Sequence, residues 1–250
     1  MLLNKITRGL LDAIYPPICL ICGQLSHGIY PHCCRECLES FELVGSFCCE
    51  LCGEPFASRQ VSHLCLSCIR GRPPFNWCRG VYLYRGAVAE ALLRFKYRGQ
   101  IPLQVPLEEA LARGAGTMSP LPEFELLIPV PLSRKGLWKR GFNQSYILAG
   151  PLAQHLDLKI LTGAVVRKGN RTQVGLAARE RNRNAAVSFA AGDAIDRVKG
   201  RKVLLFDDVY TTGATVRACA RILRRAGAEV SVLTFARAVS GDYVSRCLGN

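Results

Sequence analysis

Apolar positions in this chain fall into short runs separated by glycine, proline and charge, and the runs alternate between two spacings. Runs of strand type occupy 81–84, 126–131, 164–166, 187–190, 202–206 and 229–235. Between them lie stretches with helical spacing: 87–97, closed by Arg98-Gly99; 103–113, with Pro106 in its first turn; 144–155; and 216–226, closed by Gly227. The order strand, helix, strand repeats, which predicts an α/β fold: a mostly parallel sheet flanked by helices on both faces. The segment 132–144 is basic and broken by glycine, and reads as a loop with Asn143 capping the helix after it. Residues 167–184 are polar and basic without clean periodicity, the pattern of an active-site lid. Residues 1–15 place Leu3, Ile6, Leu10 and Ile14 near one helical face. Lys5, Arg8 and Asp12 interrupt that stretch, so it reads as an amphipathic helix rather than a secretion signal.

The first third of the chain lacks this alternation and is organised by cysteine. Eleven of thirteen cysteines precede residue 79, and four CxxC knuckles stand out: Cys19/Cys22, Cys34/Cys37, Cys49/Cys52 and Cys65/Cys68. Cys33 and Cys48 double two of the knuckles, but only Cys34 and Cys49 keep the CxxC register. Eight thiolates at this spacing predict two structural Zn²⁺ ions. Consecutive pairing makes a double zinc ribbon, and interleaved pairing makes a RING-like cross-brace. His32 and His63 lie beside knuckles and read as bystanders. Disulfides need an oxidising compartment; without a secretion signal the expectation is a cytoplasmic protein with metal-bound thiolates. The predicted organisation is therefore a helix at 1–15, a double zinc-ribbon module at 16–72, a linker beginning at Gly71-Arg-Pro-Pro, and an α/β domain at 75–250.

The densest chemistry lies at 203–217. Four apolar residues run into Asp207 and Asp208, and the turn Thr211, Thr212, Gly213, Ala214, Thr215 opens a helix. Free amides and hydroxyls at a helix N-terminus suit a phosphate dianion. Carboxylates at the carboxyl end of a buried strand can accept hydrogen bonds from sugar hydroxyls. A Walker-type ATP site would also need a Gly-Lys loop, and no Gly-Lys dipeptide occurs. An apolar strand, two acids and a Thr-Thr-Gly-x-Thr loop resemble the phosphoribosyl-pyrophosphate (PRPP) motif of type I phosphoribosyltransferases.

Charge agrees with an anionic ligand. The formal net charge is +14, and between 131 and 183 eleven basic residues face only Asp157 and Glu180. Arg134, Lys135, Lys139 and Arg140 stand as candidates for a pyrophosphate grip, with Lys96 at the end of the 87–97 helix. Single-stranded DNA is a second polyanion this surface suits. Eight thiolates around two divalent ions leave the cysteine module itself acidic, so it is a structural or partner-docking module rather than a nucleic-acid grip. No apolar run approaches the roughly eighteen residues of a membrane span.

Four blocks widen the resemblance to nearly the whole chain: the knuckles; Tyr84-Arg-Gly with Arg94-Phe-Lys-Tyr-Arg-Gly99; Pro129-Val-Pro with Lys139-Arg-Gly-Phe-Asn-Gln144; and Glu180-Arg-Asn-Arg-Asn184. In this order they are similar to the ComF family (ComFC and GntX-type proteins), although Tyr210 stands where many relatives carry a smaller residue. The resemblance implies a type I phosphoribosyltransferase-like domain behind a zinc ribbon, and a role in DNA uptake during natural transformation with other uptake proteins. PRPP, with Mg²⁺, would lie on Asp207, Asp208 and Thr211 to Thr215. Arg140 and Lys96 would meet the pyrophosphate, and Arg181 would come from the lid. The alternative is a non-catalytic single-stranded DNA or partner-binding protein that uses the fold as a nucleotide-binding scaffold. No residue announces an acceptor substrate.

Overall fold

The computed structural model describes residues 16–26, 30, 32–56, 63–118, 123–168 and 188–239. The expected helix at 1–15 and nearly all of the expected lid, with Arg181, lie outside the described residues. Five parallel strands form the main sheet: β1 (Cys78–Leu83), β2 (Leu126–Pro129), β3 (Lys159–Ile160), β6 (Lys202–Tyr210) and β7 (Glu229–Arg237), in the order β1-β7-β6-β2-β3. A separate antiparallel pair, β4 (Val165–Arg167) and β5 (Phe189–Ala191), stands apart from it. The strand read at 164–166 thus belongs to this ribbon. The edge strand β3 was not anticipated because two residues carry no readable period.

Alternation along β6 explains the two layers. Leu204 and Phe206 face a core built from α3 (Gly86–Tyr97), α4 (Gln104–Gly116) and α6 (Gln144–His155). Val203 and Leu205 face the opposite core, built on α7 (Ala214–Arg225). All four side chains are fully buried, as in a parallel sheet covered on both faces. The predicted linker is pinned at its end: Phe75 is 1% exposed in the α7-side core, and the Asn76 amide donates to the Val230 carbonyl.

The cysteine region has two short helices, α1 (Arg35–Glu39) and α2 (Leu66–Arg70), each starting after the first cysteine of its knuckle. Its first half joins the main core, where Phe41 packs edge-on against Tyr82 at 5.5 Å and Phe235 at 6.5 Å. Its second half docks on the start of β1, where the Cys78 amide donates to the Leu51 carbonyl at 2.7 Å. Gly53, with φ +70°, lies so near that a Cβ there would sit 2.5 Å from the Cys78 carbonyl oxygen. Among the described residues, no helix is long and apolar enough to cross a membrane.

Candidate phosphate site and metal centres

β2 pairs with β6 only as far as Pro129 opposite Phe206. One last bond follows, from the Val130 amide to the Phe206 carbonyl at 2.8 Å, and the Val130 carbonyl then turns to the Asn143 side chain instead of β6. β6 runs on for four residues paired with β7 alone, so Asp207 and Asp208 stand inside a strand at the edge of a cleft left by β2. The chain leaving β2 returns through α5 (Arg134–Arg140), a helix in the stretch read as a loop, whose N-cap Ser133 accepts from the Gly136 amide. At the next turn, Asn143 accepts from the Ser145 amide at 3.2 Å, capping α6, and donates to the Val130 carbonyl at 3.1 Å. That bond fixes the start of α6 against the end of β2.

Ser145 then donates its hydroxyl to Asp207 Oδ1 at 3.1 Å, and the Asp208 amide donates to the same oxygen at 2.9 Å. Lys96 Nζ lies 2.8 Å from Asp208 Oδ2, with both side chains about nine-tenths buried. Burial, followed by the neighbouring Asp208 charge, pushes the Asp207 carboxyl up to about 7; Lys96 and the two hydrogen bonds act in the opposite sense.

Beyond the acids, Gly213 takes φ +73° and is the N-cap of α7; the Thr212 hydroxyl accepts weakly from the Ala214 amide at 3.4 Å. A cavity of about 300 Å³ gathers Lys96, Arg140, Asp207, Asp208, Thr211 and Thr215. An adjoining niche of about 30 Å³ is lined by 209–216 with Asp207 and takes in Thr212, Gly213 and Ala214. Arg140 stacks on the Tyr97 ring at 4.5 Å. Arg134, Lys135 and Lys139 lie along α5 and do not line the cavity.

The cavity also contains Arg167, the first residue of the expected lid, and two residues that sequence reasoning missed, Gln144 and Ser145. Arg167, at the end of β4, faces it while its guanidinium stacks on Phe189 at 5.3 Å. Gln144 is 4% exposed and lines the cavity with a buried Oε1 that has no hydrogen-bond partner among the described residues. Ser145 touches Asp207 across 62 positions of sequence. The signal for Gln144 and Ser145 was at hand, since they directly follow the Asn143 cap.

The knuckles gather in consecutive pairs. The sulfurs of Cys19, Cys22, Cys34 and Cys37 lie within 4.8 Å of one another, as do those of Cys49, Cys52, Cys65 and Cys68. Sulfur–sulfur distances of 3.9 Å (Cys19–Cys37), 3.8 Å (Cys22–Cys34) and 3.6 Å (Cys52–Cys65) suit a tetrahedron with metal–sulfur bonds of about 2.3 Å. The Ile21 amide donates to Cys19 Sγ and the Cys65 amide to Cys49 Sγ, each at 3.4 Å. Burial opposes the Cys19 and Cys49 thiolates, but such amides outweigh it and bring them down to about 6 and about 7. The donor set fits zinc. Neither histidine joins a group; His63 stacks flat on Phe56 at 4.1 Å. Cys33, Cys48, Cys78 and Cys219 are buried outside both groups.

Comparison with known proteins matches two segments of the chain. A double zinc ribbon domain matches residues 10–69, and a phosphoribosyl transferase domain matches 143–246. The chain is 33% identical over 181 residues to Competence protein F of Haemophilus influenzae, covering 70% of this chain and 78% of that one. The chain belongs to the ComF family. Two further ComF relatives are DNA utilization protein YhgH of Escherichia coli (36% identity, 67% of this chain and 74% of that one) and Competence protein ComFC of Bacillus subtilis (31%, 63% and 62%). In this ComF chain the parallel sheet begins ahead of the matched transferase segment, since β1 and β2 belong to it.

Proposed function

We propose that this protein binds PRPP with Mg²⁺ on the 207–215 loop and acts, as the names of its relatives suggest, in the uptake and use of DNA during natural transformation. One observation carries the reading: two buried acids lead into a hydroxyl-rich helix N-terminus, lining a cavity and its adjoining niche, and the cavity's other walls hold Lys96, Arg140 and Arg167. Thr211 to Thr215 would hold the 5′-phosphate through α7's free amides and the threonine hydroxyls. Asp207 and Asp208 would take the ribose hydroxyls. They are hard oxygen donors of the kind Mg²⁺ accepts, and the ion, when bound, would neutralise pyrophosphate charge. Lys96 already sits on Asp208, so it orients that carboxylate and can turn to the pyrophosphate beside Arg140. Gln144 Oε1, without a hydrogen-bond partner among the described residues, offers an acceptor to a ligand N–H or O–H. If the protein is an enzyme, C1–pyrophosphate cleavage in such a site is driven by these cations and by exclusion of water.

A second reading, a non-catalytic single-stranded DNA-binding protein, draws on α5. Trp138 is 94% exposed there among Arg134, Lys135, Lys139 and Arg140, and Tyr97 is 61% exposed nearby. Exposed aromatics interleaved with cations are stacking platforms for unpaired bases. Titrating PRPP and single-stranded DNA separately and together separates the two. The transferase-type reading predicts Mg²⁺-dependent PRPP binding and pyrophosphate release with an acceptor. DNA binding that PRPP does not affect, with no PRPP binding, would favour the second.

A further inference from the structure

The last strand ends in a buried cation. Arg237, the final residue of β7, is 2% exposed. Its backbone is held from both sides, opposite Tyr210 on β6 and Leu83 on β1, and its carbonyl accepts from the Tyr84 amide at 2.7 Å. The guanidinium reaches out of the sheet into the second ribbon. Nη1 donates to the Cys52 carbonyl at 2.6 Å; Nη2 donates to the Glu54 carboxylate and lies 3.7 Å from Cys52 Sγ. Its face covers the Tyr210 ring at 4.2 Å.

Tyr210 is 3% exposed and directly precedes the phosphate loop. A Cβ on Gly213 would sit 2.1 Å from the Tyr210 hydroxyl oxygen, so the Gly213 backbone rests on the phenol. Gly213 is the N-cap of α7, and its height above that ring sets where the first amides of α7 point. The contacts therefore run without a gap from Cys52 through Arg237 and Tyr210 to Gly213. The charge balance runs the same way. A guanidinium removed from water needs anions beside it. Glu54 is one, and a four-thiolate group loaded with a divalent ion keeps net negative charge against Nη2. The first four-cysteine group has no comparable bridge to the loop among the described residues; it packs into the opposite core.

We propose that Arg237 and Tyr210 are positioning residues that couple the Cys49, Cys52, Cys65, Cys68 group to the phosphate loop, so that the loop's grip on a sugar phosphate depends on metal occupancy of the second ribbon. This rests on the reading of 211–215 as a phosphate site.

The test uses the zinc-loaded 250-residue chain with Arg237→Met, Tyr210→Ala and Cys52→Ser. Each is measured for zinc per chain, amide hydrogen exchange at 211–217, and calorimetric PRPP affinity with Mg²⁺. Arg237→Met and Cys52→Ser should release the second zinc more readily to a chelator, speed exchange in the loop, and weaken PRPP binding by roughly tenfold or more. Tyr210→Ala should keep both zinc ions and show the same loop and affinity changes. Tyr210 is not one of the four ligands, so its variant reports even if the other two fail to fold. Loop exchange unchanged, or PRPP affinity within about twofold of wild type, in Tyr210→Ala would overturn the coupling. If wild type itself binds no PRPP, the phosphate reading fails separately, and the loop exchange alone decides the coupling.

Discussion

Asp207 sits where burial and neighbouring charge oppose its ionisation, while Lys96 and two hydrogen bonds favour it. The balance leaves its carboxyl raised to about 7, above the roughly 4 of an unfolded chain. Between those two values the folded state holds the extra proton, so this group's contribution to stability falls as pH rises from 4 to 7. Asp207→Asn should therefore raise the thermal midpoint of the ligand-free protein at pH 8, by about 2–4 °C for each kcal/mol relieved, and leave it nearly unchanged at pH 4. Scanning calorimetry at the two pH values checks this; an equal shift at both would contradict it. Ionised Asp207 is the form that would accept ribose hydroxyls or Mg²⁺ in the proposed site, so Mg²⁺-dependent PRPP affinity should increase from pH 6 to 8 and then level off. The acids and threonines were legible in the sequence because their chemistry is contiguous. Ser145 on Asp207 and Lys96 on Asp208 were not, because those contacts span long sequence separations and exist only once α6 and α3 pack on the sheet.

Among the elements, legibility followed length and period. α3, α4, α6 and α7 repeat their apolar positions over three turns or more, and the sequence places them within about three residues of their observed ends. α5 was hidden because it has seven residues and buries none of them, so no apolar stripe marks it; its glycine also reads as a break. Its sequence signals are the Ser133 cap and the left-handed Gly141 that closes it, both visible once a helix is suspected. Asn143 was legible as a cap, but its second bond, to Val130, was not. Because it serves both α6 and the end of β2, Asn143→Ala should cost about 1–2 kcal/mol in denaturant unfolding. Asn143→Asp, which keeps the capping acceptor and loses the donor to Val130, should recover about half of that. Equal losses for the two variants would mean that capping contributes nothing.

At the scale of the whole molecule, the cysteine region is more than an appendage. The first ribbon places Cys19, Cys33, Cys34 and Cys37 in the same core as Phe95, Leu204 and Phe235, and the second grips β1 and Arg237. The knuckle spacing announced the metal groups, yet nothing in it foretold this docking, which depends on tertiary contacts such as Gly53 on Cys78. Native mass spectrometry should find two zinc ions per chain. Stripping them with a chelator should lower the unfolding midpoint of the entire protein rather than melt a separate first transition. A retained high-temperature transition after zinc removal would show that the sheet stands without the ribbons. The central proposal for this molecule is the PRPP site, and calorimetric titration of PRPP with Mg²⁺ into the wild-type chain and into Asp207→Asn/Asp208→Asn probes it without intermediaries. One saturable site per wild-type chain, weakened at least about tenfold in the double variant, is the expected result. No heat of binding with wild type, or equal affinity in the variant, would contradict it.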